Sequence, residues 1–334
     1  MLQVLDLSGY SFSGKSAIYD FLTNYGNFYS HGKEFEFDLL RIRGGIHDLK
    51  NSLTSKNWSF IRASDSIKAF KQIIENISYQ RNFLSRLTSI GSYYEDYFPN
   101  FCKNANNYIN ELILSSYQSE WPFNEFEAEG FLKSSNKFKR LLGFSNTKDV
   151  FLSRLKEDEF DEITRKFFDK LFQFIPLDKG YTHLLLNNAF EPFSPESSLN
   201  FFKSSKSIII DRDPRDIYLS ARKSPLIKGI NVSKIVIGNN TNDFIRRFKI
   251  FHQNHNNYNP NILRINFEEF ILAHQKTILK LEEFLNCNLI TSVSKSSFDL
   301  NKSSQNIFLW KKKENLIYIK EIEQIEFNLK SFCY

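Results

Sequence analysis

The stretch LDLSGYSFSGKSAIYDFL, residues 5–22, decides how this chain is read. Within it Gly9-Tyr-Ser-Phe-Ser-Gly14-Lys15-Ser16 satisfies the phosphate-loop pattern G-x-x-x-x-G-K-[ST] at every fixed position. Glycines let the backbone turn tightly, so that successive N–H groups point into one concavity and can hold an anion. A helix opening near Gly14 adds the positive end of its dipole. Lys15 adds a full charge and Ser16 a hydroxyl. The flanks supply the setting that the motif requires. Leu2 to Leu7 is an apolar run of strand length, and Ala17, Ile18, Phe21 and Leu22 recur at helical spacing. Strand, loop and helix in that order predict a phosphate-binding turn lined by Ser11, Ser13, Gly14, Lys15, Ser16 and Ala17.

Working outward, further apolar runs at about 27–31, 182–187, 206–211 and 261–267 have strand length. From about 60 to 175 the pattern changes. IKAFKQIIENI, YINELIL and ITRKFFDKLFQFI place apolar residues three and four apart, as amphipathic helices do. The expectation is one α/β domain over residues 1–334, a P-loop parallel sheet flanked by helices, with a long helical insertion at about 60–175. The chain has 35 Phe, ample for a sizeable core. Its net charge of +6 is mild and forms no basic stripe, which suits anionic small molecules or glycans rather than nucleic acid. Cys102, Cys287 and Cys333 are too far apart for a metal site and odd in number for a disulfide framework. No apolar run approaches the ~20 residues of a membrane span, and the first strand begins where a signal peptide would lie. A cytoplasmic protein is expected. Its richness in Lys, Asn, Ile and Phe suggests an AT-rich, bacterial genome.

A second segment narrows the chemistry. In Lys206-Ser-Ile-Ile-Ile-Asp211-Arg212-Asp213-Pro214-Arg215-Asp216-Ile-Tyr-Leu-Ser220, an apolar strand ends in a charged turn and Pro214 opens a helix. Arg212 at the strand end and Ser220 two turns along the helix are spaced to close on one phosphate from two sides. Here the chain resembles the sulfotransferases that use 3′-phosphoadenosine 5′-phosphosulfate (PAPS). Their 3′-phosphate motif has an Arg, an acidic or Asn-Pro turn, and a Ser eight residues after the Arg, the spacing of Arg212 and Ser220. Ile262-Leu-Arg-Ile-Asn-Phe-Glu268-Glu269-Phe270 is similar to the family's strand that ends in an aromatic-Glu pair. Leu281-Glu-Glu-Phe-Leu285 resembles the helix after it. Asn306-Ile-Phe-Leu-Trp310-Lys311, followed by a helix from Ile317 to Leu329, resembles the Trp-bearing closing segment.

The resemblance implies that the glycine loop holds the 5′-phosphosulfate, that Arg212 and Ser220 hold the 3′-phosphate, and that Trp310 and Lys311 cover the nucleotide. An acceptor hydroxyl, on a glycan or glycolipid, then takes the sulfuryl group without a metal. One position departs from the family. Its loops place Lys or Arg directly before a Ser-Gly pair that precedes Thr-Thr, and here Phe12 occupies the basic position. Lys15 is expected to supply that charge from the neighbouring position. The proton acceptor is open between two segments. Ser30-His-Gly-Lys-Glu34-Phe-Glu36-Phe-Asp38 resembles the Glu-bearing segment of carbohydrate sulfotransferases, and an extended chain would put Glu34 and Glu36 on one side. His183, in Tyr181-Thr-His-Leu-Leu-Leu-Asn187-Asn188, precedes its apolar run and so sits at the start of a strand. Ligands of open α/β sheets bind beyond the strands' carboxyl ends, where Asn187 and Asn188 fall. Two other classes compete: a P-loop kinase with Asp211 as its magnesium acid, and a non-catalytic nucleotide-binding protein. The kinase leaves the Arg212–Ser220 spacing and the Trp310 segment without a role.

Overall fold

In the computed structural model, which describes residues 2–78, 93–120, 147–224, 230–254, 258–289 and 297–334, the strands are β1 (Gln3–Gly9), β2 (Phe28–Ser30), β3 (Ser115–Glu120), β4 (Thr147–Leu152), β5 (His183–Asn187), β6 (Ser205–Asp211) and β7 (Ile262–Asn266). Five of them form one sheet in the order β2-β5-β1-β6-β7, and every pairing is parallel. Parallel pairing makes the register informative. Leu7 of β1 lies opposite Asn187 of β5, Gly9 opposite Ile210 of β6, and Asp211 opposite Asn266 of β7. The carboxyl ends therefore share one edge, and the chain runs from β1 to β2 on one side and from the neighbouring β6 to β7 on the other, the arrangement that opens a ligand crevice.

The strands are apolar because both faces of the sheet are covered. Leu5, Leu7, Ile208 and Ile210 pack with Ile18, Phe21, Leu22 and Phe270 on one face. Their neighbours one residue along point the other way. Among these, Asp6, Ser8 and Ser207 are fully buried polar groups. The helix Pro214–Lys223 starts as a first-turn proline predicts, with Asp213 as its N-cap accepting from the Arg215 amide at 2.8 Å.

The chain divides into two compact units, Met1–Asp38 with Ile175–Tyr334, and Leu39–Phe174. The sheet belongs to the first. The helical region expected at about 60–175 falls in the second, where Phe60–Ser78, Phe101–Leu112 and Glu157–Phe172 are helices; residues 79–92 and 121–146 lie outside the described residues. This unit begins earlier than expected and adds the helix Ile46–Thr54 and an antiparallel pair, β3–β4. Its core is aromatic: Tyr108 stacks on Phe167 at 4.7 Å, and its hydroxyl meets Thr164 at 3.0 Å. No helix among the described residues is long and apolar enough to cross a membrane.

The start of the helix Pro214–Lys223 is tied by buried charges. Asp213 and Arg215 pair at 2.7 Å with side chains 1% and 4% exposed, and the Tyr334 amide donates to Asp213 at 3.0 Å. Without Asp213, Arg215 keeps Glu326 at 2.7 Å, but the helix loses its cap and the Tyr334 amide its acceptor. Asp213→Ala is expected to cost about 1 to 3 kcal/mol, read as a fall in denaturation midpoint; Asp213→Asn, which keeps the cap, should lose less.

Candidate active site

Two glycines make the loop after β1 possible. Gly14 has φ +89°, and a Cβ there would lie 2.4 Å from the Phe267 ring; a Cβ on Gly9 would meet Ser13 Oγ at 2.5 Å. The turn closes with the Ser13 amide on the Tyr10 carbonyl at 2.9 Å, and Gly14 caps the helix Lys15–Leu22. Ser13 Oγ is buried and has no hydrogen-bond partner, a polar atom left for a ligand in a loop shaped for an anion.

A cavity of about 830 Å³ opens on this loop. Its lining joins Gly9 to Ala17 with Arg212, Ser220 and Asn306 on one side and with Lys33, Glu36, Asn187 and Asn188 on the other. Ser11, Ser13, Gly14, Lys15, Ser16, Ala17, Arg212 and Ser220, spread over the sequence, thus face one space. Lys223 and Lys312 line it too. Lys15, Lys33, Arg212, Lys223 and Lys312 against Glu36 make it strongly cationic, fit for a polyanion.

Arg212 is the most enclosed of these cations, 6% exposed. Its Nη1 donates to the Phe12 carbonyl at 2.5 Å and its Nη2 to the Asn306 carbonyl, while Nε is buried without a partner. Phe12 has φ +64°, which turns its carbonyl toward the guanidinium. Burial lowers the Arg212 pKa, and the carboxyls of Asp216, Glu268 and Asp213 oppose that. Glu268, fully buried, accepts from the Asp213 amide at 3.1 Å and so holds the turn that carries Arg212. Burial lifts Glu268 to about 7 and Asp216 to about 6, with the charge of Arg212 pulling both down.

At the opposite wall Lys15 Nζ donates to Asn187 Oδ1 at 2.6 Å and lies 3.7 Å from Glu36 Oε1. Asn188 Nδ2 donates to the same Glu36 oxygen at 2.7 Å. The two acids do not form the paired face that an extended chain predicts. β2 stops at Ser30 and the chain turns at Lys33-Glu34, leaving Glu36 in the cavity lining and Glu34 exposed outside it.

His183 begins β5, at the far end from Asn187. It is buried against Phe28, its ring nitrogens meet Thr182 Oγ1 at 2.8 Å and Gln3 Oε1 at 3.0 Å, and burial drops its pKa to about 4. It packs the sheet. Trp310 and Lys311 also fall outside the lining. Trp310 lies on the Arg215 guanidinium at 3.8 Å, and Lys311 caps the Phe308 and Trp310 rings at 4.4 and 4.8 Å. Their neighbours Leu309 and Lys312 face the cavity instead. Lys223 carried a usable signal, standing one turn beyond Ser220 on the same helix; Lys33, Asn306 and Lys312 carried none. Asp211, the magnesium acid of the kinase reading, is held by Arg264 at 2.9 and 3.0 Å and is absent from the lining.

No family model matches the chain, and no curated protein matches it. Among solved structures it is similar to the sulfotransferase STF1 of Mycobacterium tuberculosis (8% identity, TM-score 0.40, covering 98% of this chain and 76% of that one). It is also similar to the sulfotransferase domain of the Synechococcus PCC 7002 olefin synthase (11%, 0.39, 97% and 94%) and to that of the curacin biosynthetic pathway (11%, 0.37, 98% and 97%).

Glu268 yields a pH prediction. Its pKa rises from 4.5 to about 7 on folding, so the folded chain keeps a proton that the unfolded chain has lost. That contribution is complete below pH 4.5 and vanishes as pH climbs through 7. Asp216 acts in the same sense up to about 6. Melting temperatures of Glu268→Gln should therefore fall less between pH 5 and 8 than those of the parent; an equal or steeper fall contradicts the assignment.

Proposed function

We propose that this chain is a PAPS-dependent sulfotransferase acting on a hydroxyl group of a carbohydrate or glycolipid. The observation that carries the reading is that one cavity is lined both by the glycine loop and by Arg212 with Ser220. A nucleotide with an anionic group at its 5′ end and another on its ribose needs two such holds. The residues fit it: Ser13 Oγ and Arg212 Nε are buried donors with no partner in the structure, and the loop depends on Gly9 and Gly14, where a Cβ would strike the Ile210 carbonyl and the Phe267 ring. The choice of a sugar hydroxyl follows from a carboxylate as base and from Lys33, Asn187 and Asn188 beside it in the lining. The thiols of Cys102, Cys287 and Cys333 are free, which accords with a cytoplasmic location.

The donor, when bound, supplies a sulfuryl group carried on a phosphate leaving group. We assign Glu36 as the base and leave Glu34 outside the chemistry, because Glu36 alone of the two lines the cavity. Glu36 takes the proton of the acceptor hydroxyl as that oxygen bonds to sulfur. The bond from sulfur to the phosphate oxygen breaks, and the oxygen keeps the electron pair. Lys15, 15% exposed at the head of its helix, offsets the charge developing there, and the loop amides share it. Asn187, which accepts from Lys15 and donates to the Lys33 carbonyl at 2.8 Å, keeps the ammonium in place.

A kinase would need its magnesium acid free, and Asp211 is committed to Arg264. Adenosine 3′,5′-bisphosphate should raise the melting temperature without magnesium, by the equivalent of about 2.7 kcal/mol at a hundredfold excess over Kd, and Arg212→Ala should abolish the shift. A larger shift with ATP and magnesium, insensitive to Arg212, sinks the proposal. In labelled sulfate transfer from PAPS onto a panel of glycans, Glu36→Gln should keep the melting shift and lose roughly 10²- to 10⁴-fold in rate, while Glu34→Gln stays near the parent.

A further inference from the structure

Asp6 stands in the middle of β1, fully buried and outside the cavity. A carboxyl in the central strand of a sheet is costly unless donors surround it. Here donors surround it on both oxygens. Oδ1 accepts from the backbone amides of Ala189 at 2.9 Å and Phe190 at 3.0 Å, and the Ser8 hydroxyl lies 2.8 Å away; Oδ2 accepts from Ser207 Oγ at 2.6 Å. Burial lifts its pKa to about 6 against the pull of those bonds. The two amides belong to the turn that leaves β5, and the residue before them is Asn188. That residue has φ +51° and is pinned by its own amide on the Leu7 carbonyl at 3.0 Å. Its side chain ends on Glu36.

We infer that Asp6 is a positioning residue for Glu36, acting through the backbone of Ala189 and Phe190 and the side-chain amide of Asn188. Asp6 holds the turn, the turn aims Asn188, and Asn188 Nδ2 keeps one Glu36 oxygen near Lys15 Nζ. The Asp6 carboxylate is the group that fits, since it accepts without donating and Ser8, Ala189, Phe190 and Ser207 each offer a hydrogen. Alanine at this position would strand two buried amides and leave the turn to find another conformation. Asparagine keeps an oxygen for them, and its amide can turn toward Ser207.

That Glu36 moves a proton rests on the proposed sulfotransferase reading; the placement of Asn188 does not, and the test separates the two. In a crystal structure of Asp6→Ala, Asn188 Nδ2 should stand beyond hydrogen-bond distance of Glu36. Should alanine prevent folding, Asp6→Ser, too short to reach both amides, serves the same purpose. An unchanged 2.7 Å contact overturns the inference whatever the enzyme's activity. In sulfuryl transfer from PAPS to the glycan found by the panel, Asp6→Ala should lower kcat on the order of 10²-fold, and Asp6→Asn should recover most of it. The melting shift given by adenosine 3′,5′-bisphosphate should stay within twofold of the parent's in both. The decisive arm is the double variant. With Glu36→Gln already present, adding Asp6→Ala should slow transfer no further, because both act on one proton. A second, multiplicative loss would assign Asp6 to general stability instead. Absence of any transfer by the parent protein would count against the sulfotransferase reading and leave the structural arm to decide on Asp6.

Discussion

The guanidinium of Arg212 is the interaction on which the rest of this site depends. A buried cation needs partners, and two nitrogens of this one find them in carbonyls from distant parts of the chain, Phe12 of the glycine loop and Asn306 of the segment after Ser303, while Nε has none. Behind it stand Asp216, Glu268 and Asp213, whose charges oppose the cost of burying it. The sheet makes the meeting possible. Because β1, β6 and β7 are parallel and in register, the loop after Gly9, the turn after Asp211 and Phe267 emerge side by side.

The two walls of the cavity are built on different logic. Around Arg212 the positions are set by buried charges and a capped helix, which resist small displacements. Around Lys15 they are set by a relay of side-chain amides: Asn187 takes the ammonium, Asn188 reaches Glu36, and Asp6 fixes the turn that carries Asn188. Amides suit that wall because they orient a carboxylate without adding charge. The two walls are thus held by different contacts within one unit of the chain.

Much of the fold was legible in the sequence. The five strands of the parallel sheet stood out as short apolar runs, and the glycine loop and the Arg212–Ser220 pair, which line one cavity, because glycine, proline and the Arg–Ser spacing mark them. Phe60–Ser78, Phe101–Leu112 and Glu157–Phe172 of the Leu39–Phe174 unit were legible from their period, and Ile46–Thr54 was not. β3 was not. Its residues, SSYQSE, are nearly all exposed, and a strand with no buried face leaves no alternation to read. On an extended chain Glu34 and Glu36 are equivalent; the turn at Lys33-Glu34 separates them. The resemblance puts Trp310 over a nucleotide, whereas in the structure the Arg215 guanidinium lies on its indole face. Asp6 was invisible inside an apolar run, since only the fold brings Ala189, Phe190 and Ser207 around it.

The central claim is that one nucleotide is grasped at two points, and a crystal soaked with adenosine 3′,5′-bisphosphate addresses it most directly. The expected density has the 5′-phosphate against the amides of Gly14 to Ser16, with Arg212 released from the Phe12 and Asn306 carbonyls to meet the 3′-phosphate beside Ser220. Arg212 still seated on those carbonyls, with the 3′-phosphate in solvent, would contradict it.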